Sequence, residues 1–381
     1  MSKTLRNALL GAAAIAGVAA WALAPRSFND QRRNYVPSIP DVWYAHRGLH
    51  DAGSGLVDAD DLADYHGDNP ASARMDAAPA SIAENGAYVA LARRMAMKAG
   101  YGHPGVEGPI APENSLAAFA AACEAGYGIE LDVQLTADGQ VVVVHDSDLM
   151  RVAGDPRRIE DLTYDELTRI PLFPGPSSRP GDLKAAPLPG SQERPPLVVT
   201  PSVAPAGYHQ HVPLFADVLK TVAGRVPLIV EYKFDDNRTW DERDEELMEK
   251  GHALLAAYQG AYVVESFHPG AMNWYRDHHP EICRGQLSWP APMRVRPNGS
   301  GSGGGEGGPL PWLAGLLAFD WLSRPDFVAY DWTGGPLPQV RLARAMGAAT
   351  VSWTVRSSDE LAESERYFDH HIFEAFVPDA R

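Results

Sequence analysis

Residues 112–154 read PENSLAAFAAACEAGYGIELDVQLTADGQVVVVHDSDLMRVAG and set two carboxylates and a histidine at the ends of consecutive predicted strands. Leu116, Phe119, Ala120 and Cys123 recur at helical spacing until Gly126 and Gly128 break the pattern. Asn114 or Ser115 is the expected cap of that helix. From residue 129 to 135, Ile129, Leu131, Val133 and Leu135 alternate with Glu130, Asp132 and Gln134, so a strand throws both acids onto one face. Two such carboxylates repel unless a cation joins them. Ala137, Asp138 and Gly139 mark a turn, and residues 141–144 are expected to form a buried strand that delivers His145 and Asp146 at its C-terminal end. In an α/β barrel that end carries the chemistry.

Working outward, apolar runs suited to buried parallel strands occur at 43–46, 129–134, 141–145, 228–233, 262–267, 327–330 and 350–355, alternating with segments of helical period. Residues 284–287 and 372–376 are further candidates. That makes nine candidates for the eight places of a barrel, so at least one must lie outside it.

A barrel takes about 250 residues, so a chain of 381 residues with 45% hydrophobic content has length to spare. The expected division is a leader at 1–30 and a barrel domain at 41–381, with an insertion at 51–111 and a low-complexity loop at 297–309. In the leader, Lys3 and Arg6 precede a charge-free apolar run at 8–24. It sits at the short end of the roughly 17 to 25 residues that a spanning helix needs. Pro25 makes Ala22 to Ala24 a poor cleavage site. A single N-terminal membrane anchor is therefore expected, with a secreted form as the alternative. Arg26, Arg32 and Arg33 follow the run, which leaves its orientation open.

Within the insertion, residues 84–102 echo 113–128, but only the second copy leads into IELDV; residues 87–99 read as an amphipathic helix. Cys123 and Cys283 are expected to be buried free thiols, and His209, His211, His278, His279, His370 and His371 to be surface or loop residues. A formal charge of −16 argues against a nucleic-acid partner.

HRG at His46 to Gly48, PENS, IELDV, VVVHD, VEYK, the pair Ser266 and Phe267, and WTV occur in this order. Together they resemble the glycerophosphodiester phosphodiesterase family of the PLC-like phosphodiesterase superfamily, over most of the chain from Trp43 onward. The resemblance implies a TIM-type (β/α)8 barrel. It implies hydrolysis of glycerophosphodiesters, soluble or lipid-derived, to glycerol 3-phosphate and an alcohol. Glu130, Asp132 and Glu231 match the family's metal ligands, and oxygen-only ligation selects a hard divalent cation, Mg²⁺ or Ca²⁺. The competing reading is a buried ion pair of Glu130 or Glu231 with Lys233.

His46 and His145 match the catalytic acid and base, with their individual roles open. Arg47 and Lys233 are the expected phosphate-binding groups, Trp353 a substrate contact, and Glu113 and Asn114 supports of the loop. EAFVPD after residue 373 departs from the family's Asp-containing signature and puts the last strand in doubt. Two alternatives stand beside this reading: a related phospholipase-type enzyme acting on membrane lipid, and a catalytically silent, membrane-anchored binding barrel. Oligomeric state is open.

Overall fold

The computed structural model describes residues 17–18, 20–28, 38–56, 79–106, 108–173, 184–185, 208–234, 239–290 and 309–379. The main sheet contains β1 (Tyr44–Ala45), β2 (Gly128–Leu135), β3 (Val141–Val143), β4 (Leu228–Tyr232), β5 (Tyr262–Ser266), β6 (Arg284–Ser288), β7 (Phe327–Asp331), β8 (Ala349–Val355) and β9 (His370–Phe373). All but β3 pair in parallel, and Tyr44 of β1 stands in register with both Ile372 of β9 and Gly128 of β2, which closes an eight-stranded barrel.

The surplus candidate is 141–145, which is not a barrel strand. It runs antiparallel to β2, with Val133 opposite Val143 and Leu135 opposite Val141. The reason lies in strand length. β4 pairs with β2 only as far as Val133, so the end of β2 overshoots the rim and takes its own returning chain as partner. Gln134 Nε2 donates to the carbonyls of Val144, His145 and Asp146 at 3.0, 3.0 and 2.9 Å, which pins the returning end at the rim. Residues 284–288 and 370–373 both take barrel places, so the eighth strand is present despite its unusual sequel.

Period-2 alternation sorts each strand into an outer face and an inner column. Tyr44, Ile229, Val263, Leu287, Phe327, Val351 and Ile372 form one buried apolar cluster, the floor of the barrel. Two residues further along the same strands come His46, Glu231, Glu265, Trp353 and Glu374. The inner column thus changes from apolar to ionisable as it climbs to the mouth. Gly285 makes room on the floor: a Cβ there would lie 2.0 Å from the Phe327 ring.

Two helices brace the entry to the site. In the insertion, α1 (Pro79–Lys98) is longer than the expected 87–99 and packs on α2 (Leu116–Ala125). Tyr88, Ala92 and Ala96, four apart, form its buried ridge, while the small Ala117 and Ala121 of α2 are fully buried. Ser115 is the N-cap of α2, accepting from the Ala118 amide, and left-handed Gly126 ends it.

Of the leader, residues 1–16, 19 and 29–30 lie outside the described residues, as does the low-complexity loop except residue 309. No helix among the described residues is long and apolar enough to cross a membrane. Residues 20–23 are helical and Arg26–Phe28 form a 3₁₀ turn, so the described end of the leader is folded onto the barrel. Cys123 and Cys283 are free thiols, each partly buried. His209, His211 and His371 are buried, contrary to the surface placement expected from sequence. His371 sits on the outer face of β9, with Nδ1 2.8 Å from Ser352 Oγ and 3.1 Å from Ser364 Oγ, so hydroxyls meet that nitrogen.

Candidate active site

Backbone geometry shapes the mouth first. Arg47 and Gly48, just after β1, take left-handed φ values of 55° and 81°. This turn aims the Arg47 amide inward, where it donates to Glu130 Oε2 at 3.0 Å. A Cβ on Gly48 would lie 2.9 Å from the Ala118 backbone, so the HRG turn can rest on α2 only as glycine. Asn114, also left-handed at 54°, donates through Nδ2 to Asp132 Oδ2 at 2.8 Å. With Ser115 as cap, Asn114 is free to orient an acid.

Glu130, Asp132 and Glu231 are buried, and carboxylate oxygens of the three lie within 4.8 Å of one another. Lys233 Nζ reaches two of them, at 2.7 Å from Glu231 Oε1 and 3.2 Å from Asp132 Oδ1. The ion pair considered from sequence therefore exists. It does not exhaust the acids, because burial together with the charges of Asp132 and Glu231 lifts Glu130 well above the usual carboxylate range. Burial, with Asp132 alongside, lifts Glu231 to about 7 against the pull of Lys233. Burial opposes ionisation of Asp132 too, yet Lys233, His145 and Arg47 outweigh it and hold that carboxyl far below its usual value.

The two histidines are tied in the same way. His46 Nδ1 lies 3.1 Å from Glu374 Oε2, and His145 Nδ1 lies 2.7 Å from Asp146 Oδ1. These contacts engage Nδ1 of each ring, and Nε2 of His46 stands 3.9 Å from Glu130 Oε2. Burial first, then the Arg47 charge, pushes His46 down to about 4 against Glu374. Burial, Arg47 and Lys233 do the same to His145, to about 4. Both imidazoles are therefore neutral at pH 7.

A chain of alternating charges connects these groups. Asp146 Oδ2 accepts from Arg151 Nε at 2.6 Å, Arg151 donates twice to Glu113 at 2.6 and 2.8 Å, and Arg47 Nη1 donates to Glu113 at 2.8 Å. Glu113 thus joins Arg47 to Arg151 and lies outside the cluster of Glu130, Asp132 and Glu231. Five carboxylates, Glu113, Asp146, Glu130, Asp132 and Glu231, face three cations, Arg47, Arg151 and Lys233. The acids outnumber the cations, and a bound divalent cation would offset that excess. Asp132 Oδ1 and Glu231 Oε1 both face the Lys233 ammonium, and a carboxylate oxygen that meets one ammonium keeps a further lone pair for a cation. These residues fit a hard cation.

Trp353 lies at the same level, its ring edge-on to Phe267 at 5.4 Å, and Lys233 Nζ stands 5.6 Å above the other member of that pair. The Trp353 Nε1 is buried and has no hydrogen-bond partner among the described residues. Every site residue expected from sequence is therefore brought to one mouth. Sequence reading assigned no role to Glu374, Asp146, Arg151, Arg356, His50 or Ser54. Glu374 carries a readable signal, because Ile372 and Glu374 continue the alternation of β9. Its carboxylate also meets His50 Nε2, Ser54 Oγ and Arg356 Nη2, each at 3.1 Å. Burial opposes its charge, but Arg356 and His46 keep Glu374 well below the usual range.

A sequence model of the glycerophosphoryl diester phosphodiesterase family matches residues 103–372. The chain belongs to this family. A bovine glycerophosphodiester phosphodiesterase 1 is 25% identical over 291 residues, 71% of this chain and 74% of its own length. A Bacillus altitudinis glycerophosphodiester phosphodiesterase is 46% identical over 70 residues, 18% of this chain. Three bacterial relatives are matched over only 35%, 28% and 25% of their own lengths. Among solved structures, an Oleispira antarctica phosphodiesterase in complex with the product sn-glycerol-3-phosphate has a TM-score of 0.49 at 18% identity, over 69% of this chain and 87% of that one. A Silicibacter pomeroyi glycerophosphoryl diester phosphodiesterase has 0.48 at 21%, over 73% and 93%. The family match begins after His46 and Arg47 and stops before Glu374. The glycerophosphoryl diester phosphodiesterase barrel recovers all three, because β1 lies between β2 and β9.

Proposed function

We propose that this protein hydrolyses glycerophosphodiesters to glycerol 3-phosphate and an alcohol, using a divalent cation, Mg²⁺ or Ca²⁺, held by Glu130, Asp132 and Glu231. The observation that carries this reading is the meeting of three buried carboxylates and two carboxylate-tied imidazoles at one mouth. When bound, the cation supplies positive charge to the phosphoryl oxygens. Lys233 and the Arg47 guanidinium add fixed charge beside it, placed where negative charge grows during phosphoryl displacement.

His46 and His145 divide the proton work. Nε2 of one takes the proton from the attacking oxygen, that of water or of the substrate's own glycerol hydroxyl; attack by the hydroxyl releases the alcohol and leaves a cyclic phosphate, which a water molecule then opens to glycerol 3-phosphate. Nε2 of the other, whose ring takes up a proton once the bound phosphodiester offsets the Arg47 and Lys233 charges that hold it neutral, gives that proton to the departing alkoxide. Glu374 and Asp146 hold each ring in the tautomer that leaves Nε2 facing the reaction and stabilise it when charged. Trp353 offers the glycerol backbone an apolar face and one indole N–H.

The full-length chain in detergent, given glycerophosphocholine and Mg²⁺ or Ca²⁺, should release glycerol 3-phosphate, followed with a coupled dehydrogenase. Chelation should stop release, and His46→Ala should slow it at least about 10²-fold. No release with either cation, or parental rates in His46→Ala, overturns the proposal.

A further inference from the structure

The insertion begins beside the mouth with Gly53, Ser54 and Gly55. We propose that Ser54 is a positioning residue for the hydrolysis: its amide and hydroxyl join Glu113 to Glu374 and so close a hydrogen-bonded belt that runs from His46 to His145. This deepens the diesterase reading above, on which it rests, and gives the start of the insertion a part in catalysis.

The belt is continuous. His46 Nδ1 lies 3.1 Å from Glu374 Oε2, and Ser54 Oγ donates to Glu374 Oε1 at 3.1 Å. The Ser54 amide donates to Glu113 Oε2 at 2.6 Å. From Glu113 the path runs through Arg151 to Asp146, whose Oδ1 lies 2.7 Å from His145 Nδ1. Glu113 and Glu374 are 2% and 0% exposed, and each of their four carboxylate oxygens meets two partner groups. Ser54 supplies one partner to each acid. In so buried a place a carboxylate that loses a donor turns toward those that remain, and whatever it orients turns with it.

The flanking glycines show that the contact is built into the chain. A Cβ on Gly53 would lie 2.5 Å from Glu113 Oε2, and one on Gly55 would lie 2.6 Å from both Glu374 Oε2 and Arg356 Nε. Glycine on either side therefore lets the backbone press Ser54 between the two acids. Ala52 bridges Pro112 in parallel, and the Glu113 amide donates to the Ala52 carbonyl at 2.8 Å, which holds the segment in place.

Acid–base cleavage needs both imidazoles aimed at one phosphodiester at the same time. The two are carried by different parts of the fold. His46 follows β1, whereas His145 ends the rim hairpin, where Val142, Val144, Leu149 and Val152 belong to an apolar cluster separate from the main core. Gln134 pins the backbone of the hairpin end, and Asp146 with Arg151 then sets the direction of the His145 ring. Ser54 ties that arm to the arm that holds His46, so the two rings keep one spacing.

The test compares Ser54→Ala, Ser54→Thr and the parent as full-length chains with Mg²⁺ or Ca²⁺, each checked for folding by circular dichroism. On glycerophosphocholine, Ser54→Ala should lower kcat roughly tenfold with KM changed by less than about twofold. Ser54→Thr keeps the hydroxyl and should restore most of the rate. Ser54→Cys, close in size but a weak donor, takes the place of Ser54→Ala should the alanine variant not fold. Imidazole nitrogen NMR spectra give a reading that needs no turnover: the His46 and His145 signals, assigned with His46→Gln and His145→Gln, should both move in Ser54→Ala and return in Ser54→Thr. A parent chain that leaves glycerophosphocholine intact overturns the diesterase reading, and the spectra then decide the belt alone. Parental kcat in Ser54→Ala, an equal loss in Ser54→Thr, or imidazole signals that stay in place overturns the proposal.

Discussion

Glu374 Oε2 lies 3.1 Å from His46 Nδ1, and its other oxygen, Oε1, lies 3.1 Å from His50 Nε2. One carboxylate thus orients a proposed catalytic imidazole and fastens the start of the insertion to the barrel.

Glu374→Gln should therefore lower kcat about 10²-fold with little change in KM, because the amide cannot stabilise the His46 imidazolium. The pH–rate profile should shift with it, and Glu374→Asp should restore part of the rate. A role confined to packing would reduce the yield of folded protein and leave the profile of what remains unchanged.

The acids of IELDV and VEYK were legible because strand alternation alone places Glu130 with Asp132 and Glu231 with Lys233 on inner faces. His145 was legible as a site residue but not as the product of a hairpin. Nothing in the composition of residues 141–144 separates a buried antiparallel partner from a barrel strand. The difference arises from β2 outrunning its neighbour β4, which is a tertiary fact. Glu374 was obscured by a departure from a familiar motif, although its spacing from Ile372 matches the step from Tyr44 to His46 on the adjacent strand. Arg151 closes its charge chain only across loops 38 residues apart, at Glu113, a distance that local pattern does not reach.

Acid should destabilise the fold through the two imidazoles. His46 and His145 are each held down to about 4 in the native state, while in the unfolded chain each takes a proton near pH 6.5. Their contribution is complete above pH 6.5 and is lost progressively as pH falls toward 4. Urea unfolding between pH 4 and 8 should show a shallower acid decline in the His46→Gln, His145→Gln double variant than in the parent. Parallel curves would refute this.

Glu265 shifts in the opposite direction. It stands in register with Glu231 on the neighbouring strand, its Oε2 is buried with no hydrogen-bond partner among the described residues, and burial with the Glu231 charge raises it well above the usual range. Its stabilising, protonated form is complete below the unfolded value and is lost as pH rises through the folded one. Glu265→Gln should raise the Tm at pH 8 and leave it nearly unchanged at pH 4. A drop at pH 8 would show that the charged form is the one the native state prefers.

Arg26→Ala removes the Arg26–Asp326 ion pair at the barrel base and leaves Asp326 Oδ2 the Arg284 amide. Removing one member of a buried pair costs about 3 kcal/mol or more, so urea titration should report a loss of that order. Turnover per folded molecule should be unchanged, since Arg26 is at the end of the barrel opposite His46. A loss within the error of the titration would mean that the leader is not fastened there.

The most direct measurement is calorimetric titration of the full-length chain with Mg²⁺ and with Ca²⁺, beside a Glu130→Gln, Glu231→Gln double variant whose folding is verified by circular dichroism. One ion per chain should bind to the parent and none to the variant. Equal binding by both, or no binding by the parent, would contradict a cation held by Glu130, Asp132 and Glu231.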